Sequence, residues 1–453
     1  MNNPIGGEVI ASGGFGCVFS PALKCQGKKT RGKNKISKLM IERYTLAEYN
    51  EIKNIRTKLN KIPNYKNYFL LNDFTICKPA KLSKSDLKGF QHKCSALPKN
   101  QINKTNINSS LDKMLALNMP NGGIPIDDFI YNDSSYKNII QLNNCLMNLL
   151  TKGIIPMNNK NIYHCDIKES NILVNNQNDI LKTRLIDWGL STEYVPNINQ
   201  KFPKTWRNRP LQFNVPFSVI IFSDIFVDKY VKYIENDGKK EYNSLKPFVS
   251  DYISVWMKER GEGHYKFINN IMVMMFHNED NFDKGLVETE YTLPYISNYI
   301  IEILIHFTHF TKNGTLNLRV YLDEIFIKIV DIWGLVISYL PIFEILFDNY
   351  KKLNDNENEL FEKIKQIFLT YLYKPRIKPI NITELIHDLR SLNSLIQTGL
   401  NNNTLSNSNY FKSSTSKKSR NVTGNTHTYK SFQKMRTKLS KSFTKKNKLI
   451  KTK

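Results

Sequence analysis

The chain has 453 residues, 41% of them hydrophobic, enough for one large domain or two of ordinary size with a sizeable core. Its formal charge of +25 is unevenly spread: residues 401–453 hold 14 of the 65 Lys and Arg and none of the 40 Asp and Glu. Such a Ser-, Thr-, Asn- and Lys-rich segment cannot bury enough apolar surface to offset its ordering entropy. The expectation over 400–453 is a disordered basic arm with weak, salt-sensitive affinity for polyanions, not a nucleic-acid-binding domain.

Met1–Pro4 shows no basic and then apolar leader pattern. The six cysteines (17, 25, 77, 94, 145 and 165) form no CxxC pair and no metal-ligand spacing, which fits free thiols in a reducing compartment. The most apolar run, residues 325–347, carries Lys328, Asp331, Pro341 and Glu344. The cost of charge in hydrocarbon makes it a buried helix and not a membrane span. A soluble, intracellular protein is expected.

In chain order, "GGEVIASGGFGCVF" reads as two strands joined by a Gly-rich turn, with a third strand around Lys35–Met40. "LAEYNEIKNIRTKL" has helical spacing, whereas residues 76–113 are Lys-, Ser- and Asn-rich with little periodicity and read as a long basic loop. A short strand, Met114–Leu117, runs into a Pro/Gly-punctuated connection. "NIIQLNNCLMNLLTKGI" reads as a helix with Gly153 near its end, followed by the β-like runs "NILV" and "TRLIDWG". Beyond about residue 195 the pattern is mostly helical. The fold class is therefore α+β in two lobes, the first β-rich (1–119) and the second mainly helical (120–399).

The chemistry concentrates in "NIYHCDIKESNILV". His164, Asp166, Lys168 and Asn171 form H-x-D-x-K-x-x-N, and Asp187 opens "DWG" just beyond the next β-like pair. Phosphoryl transfer needs a carboxylate to orient an acceptor hydroxyl, a cation on the moving phosphoryl group, and oxygen ligands for a metal. Asp166 can take the hydroxyl proton, Lys168 can neutralise the phosphate, and Asn171 and Asp187 offer oxygens suited to a hard cation. Gly189 permits the tight turn beside Asp187.

These residues resemble the eukaryotic-type protein kinase superfamily. His164-Cys165-Asp166-Ile167-Lys168-Glu169-Ser170-Asn171 resembles the catalytic loop H-R-D-L-K-x-x-N, and Asp187-Trp188-Gly189 resembles D-F-G. The resemblance implies a two-lobed kinase fold and an enzyme that uses ATP and Mg²⁺, with Mn²⁺ as an alternative, to phosphorylate protein substrates. Lys168 is the form seen in Ser/Thr kinases. Asp166 and Lys168 would be catalytic, with Asn171 and Asp187 as metal ligands.

Further resemblances extend over residues 8 to about 395. "ASGGFGCV" is similar to the Gly-rich loop, so Ile10, Ala11, Ser12, Gly13, Gly14, Phe15, Gly16, Cys17 and Val18 would cover ATP, with Ala11 in place of the first glycine. "KISKLM" would carry the ATP-binding lysine. Lys38, which alternates with Ile36 and Met40, is preferred to Lys35. Its glutamate partner would be Glu48, which shares a helical stripe with Ile52, Ile55 and Leu59, ahead of Glu51. Leu117 would guard the back of the adenine pocket, and Asn118–Pro120, with Met119 central, would bond adenine through the backbone. Asp331 in "VDIWGLV" would cap the catalytic-loop backbone, with Trp333 in the core. "PRIKPINITELIHDL" resembles the segment before the last helix.

Three positions depart from the family. Cys165 replaces an Arg that, in many kinases, holds a phosphorylated activation loop. "RPLQFNVPFS" stands where A-P-E is expected, without its Glu, so the ion pair to a later Arg, such as Arg376, would be missing. A stretch of about 219–320 is far longer than usual and reads as a helical insertion. The Asn-, Ile-, Lys- and Tyr-heavy composition looks like the kinases of giant DNA viruses, which would imply a host cytoplasm or a virion as the setting.

A pseudokinase scaffold and a small-molecule phosphotransferase are the alternatives. The intact Lys38, Asp166, Asn171 and Asp187 argue against the first, and Lys168 and Gly189 against the second. With Cys165 in the Arg position, activity should not need loop phosphorylation. Replacing Ser191, Thr192 and Thr205 together by Ala should leave activity unchanged; a switch abolished by that triple change would contradict it.

Overall fold

The computed structural model describes residues 7–32, 34–177, 180–196, 202–276, 284–310 and 316–401. The basic arm expected over 400–453 thus lies outside the described residues from 402 onward. The chain forms two compact units. The first runs to Asn54 and resumes over Leu71–Asn121; the second comprises Ile55–Leu70 and the chain from Gly122.

The first unit is built on an antiparallel sheet of β1 (Glu8–Ser12), β2 (Gly16–Ser20), β3 (Lys35–Ile41), β4 (Thr75–Cys77) and β5 (Met114–Pro120), in the order β1-β2-β3-β5-β4. Val9, Cys17, Phe19, Leu39 and Ala116 are all buried, and the central strands β3 and β5 carry continuous buried runs, Ser37–Met40 and Met114–Asn118, so both of their faces are covered. The register of β1 on β2 shifts between Val9 and Ala11, leaving Ile10 as a bulge just before the Gly-rich turn. Helix α1 (Glu42–Leu59) starts directly after β3. β5 extends beyond the expected Met114–Leu117, because β3 pairs with it as far as Pro120.

One expectation for this unit is refined and another corrected. Residues 76–113 are largely irregular, as expected of a long loop, but they are not unpacked: Leu82, Leu87, Phe90, Leu97, Ile102, Ile107 and Leu111 are buried in one cluster with Val9, Phe19 and Leu39. Short turns space these apolar groups irregularly, so neither helical nor strand periodicity shows in the sequence. Buried Asp86 ties the segment down by accepting from Gly7 N at 3.0 Å, Ser83 N at 2.9 Å and the Arg31 guanidinium at 3.0 Å. Nor are all the cysteines free. Cys17 pairs with Cys94 and Cys25 with Cys77, leaving Cys145 and Cys165 as thiols. The fold joins residues 77 and 52 positions apart, which no local spacing motif could reveal.

The second unit is mainly helical. β6 (Ile124–Pro125), β8 (Ile172–Gln177) and β9 (Ile180–Leu185) form one small sheet, and β7 (Ile162–Tyr163) pairs with β10 (Thr192–Glu193). Helix α2 (Ile126–Asn132) leads to α3 (Tyr136–Leu149), which buries Ile139, Leu142, Leu146 and Leu149. In the stretch expected as a helical insertion lie α4 (Asp224–Glu235), α5 (Tyr242–Arg260), α6 (Tyr265–Phe276) and α7 (Leu293–Phe307). The chain then continues through α8 (Ile327–Ile337), α9 (Leu340–Asp348), α10 (Asp355–Phe368) and α11 (Ile382–Asn401).

The Arg319–Asp348 stretch is long and apolar enough to cross a membrane, yet 94% of its most apolar window is buried inside the protein, as for a core helix. Trp333 of α8 sits at its centre, meeting Phe217 at 5.4 Å, Tyr299 at 5.7 Å and Tyr373 at 6.2 Å, all edge-on.

The disulfides are directly countable. Alkylation of the denatured, unreduced protein should label only Cys145 and Cys165, and all six after reduction; six labelled without reduction would refute the pairing. Closing 77 residues, the Cys17–Cys94 link should stabilise the folded state by roughly 4 kcal/mol, read from denaturant unfolding of Cys94→Ser.

Candidate active site

In the first unit, Gly13 N donates to Gly16 O at 2.8 Å and closes the Gly-rich turn between β1 and β2. Gly16 must be glycine, since a Cβ there would lie 2.5 Å from Leu39 O. Phe15 at the tip stacks on Tyr44 with centroids 4.7 Å apart. The base of the turn is tied twice to one segment: Ser12 Oγ accepts from Ser95 N and Ala96 N, both at 3.1 Å, and Cys17 is bonded to Cys94.

Lys38 lies in β3 opposite Val18 of β2 and Leu117 of β5. Its Nζ donates to Glu48 Oε1 at 2.8 Å and Oε2 at 2.7 Å, so both oxygens of one carboxylate grip the ammonium. The rival Lys35 instead donates to Asp73 O at 3.0 Å. Leu117 is fully buried. Asn118 sits between β3 and β4 and accepts from Ser37 Oγ at 2.5 Å, whereas Met119 and Pro120 pair with β3 alone. Pro120 has no N–H, which leaves Met119 as the donor of that pair.

In the second unit, the loop after β7 is held by Asp331, whose Oδ2 accepts from His164 N at 2.9 Å and Oδ1 from Cys165 N at 2.8 Å. His164 supports this loop through its ring, with Nε2 2.9 Å from Ile186 O and Nδ1 accepting from Asp166 N at 3.3 Å. Cys165 and Asp187 both adopt left-handed backbone, at φ 59° and 64°, uncommon for non-glycine residues.

Asp166 is the centre of convergence. Its Oδ2 accepts from Lys168 Nζ at 3.3 Å and Asn171 Nδ2 at 2.9 Å, and its Oδ1 from Asn214 Nδ2 at 2.9 Å. Burial pushes the carboxyl up, but Lys168, Arg209, the Asn214 hydrogen bond and His164 pull harder, holding it below the ordinary carboxylate range. The neighbouring Glu169 goes the other way: burial and the Asp127 charge raise it to about 7.

Asn171 spends both amide hydrogens on Asp166, so its oxygen is turned away from that carboxylate. Ile186 N donates to Asn171 O at 3.0 Å, which brings the residue before Asp187 beside it. An amide oxygen and a carboxylate are the hard donors Mg²⁺ prefers. Among the described residues no group of three His, Cys, Asp or Glu is placed to hold a metal ion.

Four contributors were not singled out as site residues from the sequence. Asn214 and Arg209 reach Asp166 from the "RPLQFNVPFS" segment, and Trp206 Nε1 donates to Cys165 Sγ at 3.3 Å. Gly334 lets α8 approach the loop, since a Cβ there would lie 2.4 Å from Ile167 O. Arg376, expected to lack its carboxylate partner, donates to Thr370 O and lies over the Tyr371 ring at 5.4 Å.

Comparison with known proteins bears on part of the chain. Residues 107–207 match the family model described as the protein kinase domain, a span that includes β5, the His164–Asn171 loop and Asp187. No curated protein matches the chain. A crystal structure of a kinase domain is similar at 14% identity over 49% of this chain, with a TM-score of 0.26; the chain spans 60% of that structure's length. The family match supports the protein kinase superfamily, and the fold is α+β of the kinase type, with a β-rich first unit and a mainly helical second one.

Gly334→Ala should shift the Asp166 loop without touching any reacting group. Turnover should fall by about 10²-fold, the scale of a 1 Å misplacement, while the protein stays folded by circular dichroism; unchanged turnover would show that the close approach of α8 is unimportant.

Proposed function

We propose that the chain is an ATP- and Mg²⁺-dependent protein kinase that transfers the γ-phosphoryl group to Ser or Thr hydroxyls of proteins. The observation that carries this reading is the convergence of Lys168 and Asn171 on one oxygen of Asp166, at 3.3 and 2.9 Å, with Asn214 on the other. Asp166 would orient the acceptor hydroxyl and take its proton, and Lys168 would meet the transferred phosphoryl group. Asn171 and Asp187 would hold Mg²⁺, which when bound offsets phosphate charge. In the first unit, the Lys38–Glu48 pair presents the ammonium for the nucleotide phosphates, and the Gly-rich turn would cover them.

Lys168, two residues after Asp166, supports the Ser/Thr acceptor over a small-molecule one. The substrates are accordingly sought among proteins.

Radiolabelled ATP with general protein substrates, followed by phosphoamino-acid analysis, tests the proposal. Wild type should label Ser and Thr, and Asp166→Ala and Asp187→Ala should each lose about 10²–10⁴-fold. Wild type no more active than either variant with Mg²⁺ or Mn²⁺ would replace the enzyme by a scaffold; label on a small alcohol alone would move it to the small-molecule phosphotransferases.

A further inference from the structure

Cys165 occupies the position where the resemblance expects an arginine, and its thiol is buried. A guanidinium is nonetheless present beside it. Arg209 comes from the segment following the short helix Lys204–Arg207, and only 5% of its side chain is exposed. Its Nη1 donates to Cys165 O at 2.5 Å and its Nε to Gln212 Oε1 at 2.6 Å. Its Nη2 is buried without a hydrogen-bond partner and lies 3.8 Å from Asp166 Oδ1. The cation therefore bridges the backbone of one loop residue and the carboxylate of the next.

Arg209 is itself held from behind. Trp256 of α5 donates its indole N–H to Arg209 O at 3.1 Å. His264 N donates to Leu211 O at 2.9 Å, and Phe213 packs against the rings of His264 at 5.2 Å and Phe267 at 4.6 Å. These partners all belong to the helical stretch between Asp224 and Phe307, for which the sequence offers no role.

We propose that Arg209 is a positioning residue that holds the Asp166 loop through a built-in cation, and that Trp256 of the helical insertion fixes it there. The insertion thereby does the work that a phosphorylated loop docked on an arginine would otherwise do. A guanidinium fits this task because it stays charged when buried and offers several donors in a fixed plane. Removing it would leave the buried Asp166 carboxylate with less compensation and the Cys165 carbonyl without its donor.

The inference rests on the kinase reading for its catalytic consequence but not for its structural one, so two measurements are made on the full-length protein. Amide hydrogen exchange over residues 164–171 reads the position of the loop without catalysis; steady-state kinetics read its effect. Arg209→Met should speed exchange in that loop and lower kcat by about 10²-fold, with the KM for ATP little changed. Arg209→Lys should recover part of both, and Trp256→Phe, which keeps a ring but loses the indole N–H, should fall between Met and wild type.

Should Arg209→Met fail to fold, the Lys and Trp256→Phe variants decide. Wild-type exchange over 164–171 in Arg209→Met or, failing that, in both of the others overturns the proposal, as does a loss confined to the KM for ATP. An inactive wild type whose loop exchange still responds to Arg209 would sink the kinase reading alone and leave the positioning role standing.

Discussion

The Asp331 carboxylate, 1% exposed in α8, accepts the backbone N–H of His164 with one oxygen and that of Cys165 with the other. It also accepts from Asn158 Nδ2 at 2.8 Å. Cys165 has left-handed backbone, so these N–H groups have no helical or strand ladder to join, and leaving a buried donor unpaired costs about 1–3 kcal/mol. This bracket fixes the backbone immediately before Asp166. α8 in turn is set by its own packing, with Trp333 donating to Phe213 O at 2.8 Å and Gly334 allowing contact with Ile167. The same helix thus holds the loop from one side and the 209–214 segment from the other.

Charge follows from that scaffold. Burial alone pushes the Asp166 carboxyl up, because the charged form loses hydration. Lys168 and Arg209 reverse this, and the Asn214 amide completes it, so the carboxyl is held below its ordinary range. The thiol of Cys165 is treated oppositely: burial and the Asp331 charge raise it well above its usual range, which keeps it neutral and inert beside two carboxylates. In the first unit a different balance holds, with the Lys38 ammonium met by both oxygens of Glu48.

What was legible in the sequence is what local spacing encodes. Asp166, Lys168 and Asn171 are within five residues of one another, so their order and intervals already imply a shared site. Glu48 could be chosen over Glu51 from a helical stripe, and Asp331 from the resemblance of "VDIWGLV" to a helix of the kinase family. Arg209 and Asn214 reach Asp166 from more than forty residues away, and no periodicity links them to the loop. Their segment registered only as a place where a familiar pattern was missing. The strand at 114 was read short for a similar reason: Asn118 and Pro120 oppose β propensity, but the β3 ladder overrides them.

The disulfides and the 76–113 segment were illegible for one common reason. An open five-stranded sheet needs its exposed face covered, and here the cover is an irregular chain whose burial is decided residue by residue. Such a cover has few backbone ladders to hold it, so covalent links between distant parts of the chain contribute where hydrogen-bonded regularity does not. One of those links lands on Cys17, directly after the last glycine of the turn, and Ser12 at the other foot is bonded to the same cover. A Cβ on Gly14 would meet nothing within 4 Å, and Phe15 is 54% exposed. The turn is therefore anchored at both feet and exposed at its tip, so the two strands that carry it are fixed to the cover while Gly14 and Phe15 project from it.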